Sequence, residues 1–160
     1  MDKGLRQKLV DFLTSHQAHM TLEDAVADFP VKFINTKAPN VDYTFWHLIE
    51  HLRITQNDIL DFCINKNYKE PKWPEGYWPK KDKKATKKDW DKTVKDYNSD
   101  LNKMVKLVKN PKTDLFAKIP WGEGQTILRE AMLIFDHNAY HIGELGILRQ
   151  VVGAWPKNRK

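Results

Sequence analysis

One cysteine, Cys63, in a chain of 160 residues excludes an intramolecular disulfide and suits a reducing compartment. Its neighbours Ile59, Leu60, Phe62 and Ile64 make a small buried hydrophobe the expected role, ahead of a nucleophile. No apolar run approaches the roughly eighteen residues that a membrane-spanning helix needs. The opening residues, MDKGLRQKLVDFL, alternate charge with apolar side chains and show neither the apolar stretch nor the small-residue cleavage site of a secretory leader. A cytoplasmic protein is the expectation. Strand-like alternation is also missing, which leaves helical periods as the organising pattern.

Hydrophobic residues make up 41% of the chain and charged residues 30%, a soluble globular composition. A single domain over residues 1–160 is long enough to bury a sizeable core. The formal charge of +6 raises the question of nucleic acid, so its placement matters. The segment PKKDKKATKK, Pro79 to Lys88, holds six lysines and one aspartate, leaving only +1 for the rest of the chain. Base edges are read by Arg, Asn and Gln, and this cluster has lysine alone. It reads as a solvated loop, and nucleic acid is not an expected partner.

Four long helical patterns stand out. In KGLRQKLVDFLTSH, Leu5, Leu9, Phe12 and Leu13 share one side. A short helix follows in HMTLEDAVADFP, with Thr21 as N-cap, Asp24 three residues on, and Pro30 as its stop. The second long helix, TFWHLIEHLRITQNDILDFCINK, starts from Thr44 and carries an inner stripe of Leu48, Leu52, Thr55, Ile59 and Phe62. Pro71, Pro74, Gly76 and Pro79 then impose a long loop. Thr86 and Asp89 open the third helix, whose buried edge is Trp90, Val94, Tyr97, Leu101, Met104 and Leu107. The last runs from about Gln125 to Val152, with Gly153 as its C-terminal stop. An all-α, four-helix bundle is the expected architecture.

Four of the six histidines form two H-x-x-x-H pairs, His47 with His51 and His137 with His141, each on a helix and each bordering the inner stripe. An i, i+4 pair can set two ring nitrogens on one metal ion. The competing reading is a hydrogen-bonded polar layer within the bundle. Imidazoles without a thiolate suit zinc, nickel or another first-row divalent ion, and three ligands leave a position open. His16 and His19 are expected to cap the C-terminus of the first helix. Trp73, Tyr77 and Trp78 are expected to cover the end of the bundle, with an aromatic pocket wall as a compatible role.

The combination of TFWHLIEHLRITQNDIL with FDHNAYHIGELGILRQVVG resembles the DinB-like superfamily, and the likeness extends through HMTLEDAVADFP and KWPEGYWP over most of the chain. The resemblance implies an up-down-down-up four-helix bundle whose metal is held by one histidine of the second long helix and two of the last. Those positions fall on His51, His137 and His141 here. Tyr140 stands where many members carry an additional His, and Glu144 where Gln is common, so both are expected at the pocket or behind the ligands. His47 is a reserve ligand whose expected role is lining the pocket or hydrogen bonding nearby. The resemblance further implies a metal-dependent transferase or hydrolase acting on a small molecule, with a low-molecular-weight thiol as one candidate co-substrate. A homodimer is expected from the habit of relatives and from six tryptophans to bury. The alternative is a non-catalytic, stress-related protein that binds a ligand or a metal.

Overall fold

Threonine opens four of the helices. Thr21, Thr44, Thr86 and Thr126 all have extended backbones and accept, through the side-chain hydroxyl, the N–H three residues on. In the computed structural model, which describes residues 2–157, they start α2 (Leu22–Val26), α3 (Phe45–Ile64), α4 (Lys87–Lys109) and α5 (Ile127–Val151). The first helix, α1, is Asp2–Thr14, and single 3₁₀ turns lie at Val31–Phe33 and Glu75–Tyr77. Among the described residues there is no strand, and no helix is long and apolar enough to cross a membrane. At its far end α5 stops in a Schellman pattern: Gly153, at a φ of 67°, donates to the Gln150 carbonyl and Ala154 donates to that of Arg149.

Helix α3 packs on α4 and α5, α1 on the same two, and α2 on α5. Against α3, α5 runs antiparallel, since His51 meets His141 while Thr55, one turn further on, meets His137. Two apolar clusters fill the interior. One joins α2 to the first half of α3 and includes Trp46, Leu48, Leu52, Trp90 and Leu145. The other joins α1 to the second half of α3 and includes Leu9, Leu60, Met104, Val108 and Ile134. Between Leu52 and Leu60 sits Gln56, which donates to the Tyr97 carbonyl and accepts from Asn138, so a short polar layer separates the clusters.

Two buried arginines tie the ends of helices down. Arg6 of α1 donates to the carbonyls of Val108, Asn110 and Thr113, serving the C-terminus of α4, where the last carbonyls lack helical partners. Arg149 of α5 does the same for the α2 segment through Ala25 and Asp28.

Several expected placements differ. Phe12 is 41% exposed, set edge-on to Phe135, so α1 turns its inner face through Leu9, Val10 and Leu13. Ile59, Phe62, Val94, Leu101 and Leu107 are half-buried; the buried edge of α3 instead runs through Leu60 and Cys63, and that of α4 through Thr93, Val105 and Val108. Neither His16 nor His19 caps α1. His16 reaches Asp24, the third residue of α2 in its capping box, at 3.1 Å, and His19 contacts the Met20 carbonyl. The chain turns after Thr14, which carries both rings past the helix end.

Candidate metal centre

On α3, His51 is 4% exposed; α5 adds His137 and His141 one turn apart, and ligand atoms of the three lie within 4.8 Å of one another. The partners behind the rings fix which nitrogen carries the proton. His51 Nδ1–H donates to the Tyr77 carbonyl at 2.7 Å. His141 Nδ1–H donates to Glu144 Oε2, also at 2.7 Å. The Thr55 hydroxyl donates to the His51 main-chain carbonyl, so its oxygen is left to accept from His137 Nδ1–H at 3.3 Å. All three Nε2 atoms are thereby acceptors. Those of His51 and His137 face each other at 3.3 Å, a repulsive pair of lone pairs unless a positive charge lies between them.

A proton is poorly suited to supply that charge. Burial and the neighbouring imidazoles hold His137 down at about 4 and His141 at about 3, and burial lowers His51 as well. Neutral imidazoles with locked Nδ1–H donors are the donor set that a divalent ion requires. The cluster can hold such an ion.

Its surroundings are equally ordered. The Trp78 indole stacks on the His51 ring at 4.0 Å and 3°, and Tyr140 sets its edge to His141 at 4.8 Å. Tyr43 donates to the second oxygen of Glu144, joining Tyr43, Glu144 and His141 in one chain. Glu144 is thus a direct partner of His141, and Tyr140, 72% exposed, stands at the edge of the site. His47 takes no part. Its Nδ1 accepts the Thr44 N–H in the α3 capping box and its Nε2–H donates to the Lys83 carbonyl, so both nitrogens are engaged and the residue anchors the lysine-rich loop.

Thr55, Tyr43, Trp78 and the Tyr77 carbonyl are site members that the histidine spacing does not reveal. Thr55 lay on the expected stripe of α3, and Trp78 was marked as an aromatic of the loop. A main-chain carbonyl has no sequence signature.

The cluster opens on a cavity of about 710 Å³, a size that fits a small organic molecule. Ile59, Phe62 and Leu133 give it apolar wall, and Trp73, 70% exposed, stands at its mouth. Cys63 lies outside it, and burial, with Glu130 adding to it, pushes the thiol up to about 12. In native protein Cys63 should therefore resist a thiol-specific disulfide reagent for hours and react within the dead time once denatured; rapid native labelling would refute the burial.

Two further outcomes are expected. In the metal-free protein the histidines bind protons less readily folded than unfolded, so their contribution to stability is whole above about pH 6.5. It is lost as pH falls through the values near 4 and 3 given by His137 and His141. Glu144 and Asp58, raised by burial, act in the opposite sense. Denaturant unfolding between pH 7 and 4 should show stability falling with acid, and the slope should flatten in the doubly substituted His137→Ala, His141→Ala protein. Separately, Glu144→Ala should weaken zinc binding by about 10–100-fold, the usual effect of losing a ligand's outer partner.

The chain matches no family model, no curated protein and no solved structure, so the DinB-like resemblance stands on the residues quoted for it.

Proposed function

We propose that the protein is a divalent-metal-dependent enzyme of the DinB-like type, a transferase or hydrolase working on a small molecule in the cavity above His51, His137 and His141. The proposal includes the four-helix, up-down-down-up arrangement of that superfamily, with α1, α3, α4 and α5 as the long helices. One observation carries it: three imidazoles, each held by a hydrogen bond behind it, bring ligand atoms within 4.8 Å of one another in the wall of an accessible cavity. The absence of thiolate from the donor set favours zinc or nickel. An ion there supplies Lewis acidity toward a carbonyl, a thiol or a water.

The chain's own residues do the rest. Tyr77 and Thr55 orient two of the rings, Glu144 orients the third and raises its basicity, and Trp78 keeps the His51 ring in plane and excludes water from its face. A second reading, binding without turnover, is favoured by a specific feature. The carboxylates Glu144 and Asp58 are already committed, to His141 and Tyr43 and to Tyr68 and Tyr77 respectively.

The test is turnover of zinc- or nickel-loaded protein against esters, amides and electrophiles presented with a low-molecular-weight thiol, using His141→Ala as the blank. Turnover that needs both the metal and His141 supports the enzyme; saturable metal binding with none shifts the reading to sequestration. Homodimerisation belongs to the same proposal. Met132, Tyr140, Ile147 and Val151 leave an exposed apolar stripe on α5, and sedimentation equilibrium of Ile147→Glu against the parent chain tests it.

A further inference from the structure

The polar layer between the two apolar clusters leaves an acceptor over. Gln56 Nε2 donates to the Tyr97 carbonyl, so Gln56 Oε1 faces Asn138 and accepts from its Nδ2 at 3.0 Å. This fixes the Asn138 amide, whose Oδ1 points away from Gln56. Asn138 is 6% exposed, and among the described residues nothing donates to that oxygen. His19 presents the same shortage. Its Nδ1–H donates to the Met20 carbonyl at 2.7 Å, which leaves Nε2 an acceptor, and that atom is also buried without a partner. Native interiors leave few such atoms, and each one is costly.

Both residues line one cavity of about 310 Å³, which shares no lining residue with the cavity over the metal centre. Asn138 belongs to its wall and Gln56 does not, so the Asn138 atom left to the cavity is the oxygen. Phe135, Asn138 and Ile142 bring successive turns of α5 to it, and the His19 ring packs on Phe135 with centroids 5.7 Å apart. The two acceptors therefore occupy neighbouring places on the wall. Phe12, Leu13 and Leu101 make it apolar elsewhere. No lysine or arginine among the described residues lines it, and the one carboxylate residue that does, Glu23, is exposed.

We infer that this cavity is a second ligand site, separate from the metal centre, for an uncharged molecule with an apolar ring and an amine or amide NH2 group whose N–H donors meet Asn138 Oδ1 and His19 Nε2. The NH2 group follows from two acceptors that lack a donor, the absence of charge from the lack of a buried counter-charge, and the ring from the phenylalanine and leucine walls. A single water, with its roughly 30 Å³ share of the liquid, fills a small part of the space. Phe12, 41% exposed and edge-on to Phe135 at 4.9 Å, is the ring that turns aside to admit the ligand. Neither this site nor the metal centre depends on the other.

The experiment titrates three probes, aniline, its isostere toluene and the acceptor-only benzonitrile, into isotopically labelled protein, with NMR shifts giving affinities and intermolecular NOEs giving the place. Aniline is expected to bind about tenfold tighter than toluene, with benzonitrile weakest and NOEs from aniline to the Phe12 and Phe135 rings. His19→Phe keeps a ring of similar shape without the acceptor, and Asn138→Leu removes the other acceptor. Each should shrink the preference for aniline to about threefold or less while leaving toluene within about twofold. Asn138→Leu also deprives Gln56 of its donor, so if that variant folds poorly the ranking on the parent chain and on His19→Phe decides. Equal affinities, tighter benzonitrile, or aniline NOEs confined to Trp73, Tyr77 and the histidine cavity each overturn the inference. So does the absence of aniline binding together with a long-lived water giving NOEs to the Asn138 side chain, which would assign the two acceptors to buried water alone.

Discussion

Arg149→Ala is expected to destabilise the protein by about 4 kcal/mol or more, enough to consume much of the stability of an ordinary domain. The side chain is fully buried. It donates to the carbonyls of Ala25, Asp28 and Ala154, and its guanidinium lies 4.9 Å from the Phe29 ring centroid and 3.9 Å from that of Trp155. Truncation leaves three carbonyls short of donors and opens a cavity between two aromatic rings. Arg149→Lys keeps the charge but loses the planar fork, so an intermediate loss should follow. Denaturant titration of the three proteins checks the order; a loss under about 1 kcal/mol for Ala would contradict the role assigned to this residue.

Replacing any one of His51, His137 and His141 by Ala should lower zinc affinity by well over the roughly 10–100-fold that follows loss of an outer partner. Each single substitution leaves two ligands, the i, i+4 pair His137 and His141 when His51 is lost, or His51 with one histidine of α5 otherwise. His47→Ala should keep metal binding but cost about 2–3 kcal/mol of stability, through the lost hydrogen bonds to the Thr44 N–H and the Lys83 carbonyl and the cavity left by a buried ring. Because Trp78 stacks on His51, zinc uptake should change tryptophan emission in the parent protein, and the response should vanish in His51→Ala. Competition titration with a chromogenic chelator reads the affinities. Equal weakening by His47→Ala and by His137→Ala would contradict the division between anchor and ligand.

Three helices, α2, α3 and α4, were legible at their starts because Thr21, Thr44 and Thr86 cap them by local chemistry, while the Thr126 cap of α5 was not singled out; Pro30, Pro111 and Gly153 marked ends. The i, i+4 spacing put both histidine pairs on inner stripes, and the choice of His51 over His47 beside His137 and His141 came from the DinB-like resemblance, not from spacing. What the periodicity missed is instructive. Ile59 and Phe62 fit a core stripe, yet they line a cavity, since an apolar side chain has the same sequence signature whether it meets another side chain or a bound molecule. Arg149 and Arg6 look like surface cations until their carbonyl partners are placed. The Tyr77 carbonyl, which sets the tautomer of His51, depends on a loop whose path no local rule dictates. His16 and His19 were assigned from a helix end that comes earlier than their own positions.

The most direct measurement is the metal content of gently purified, tag-free protein by elemental mass spectrometry, made on the parent chain and on His47→Ala, His51→Ala, His137→Ala and His141→Ala. About one divalent ion per chain, retained in His47→Ala and lost in each of the other three, is the predicted result. No bound metal in the parent protein, together with no uptake of added zinc or nickel, would contradict it.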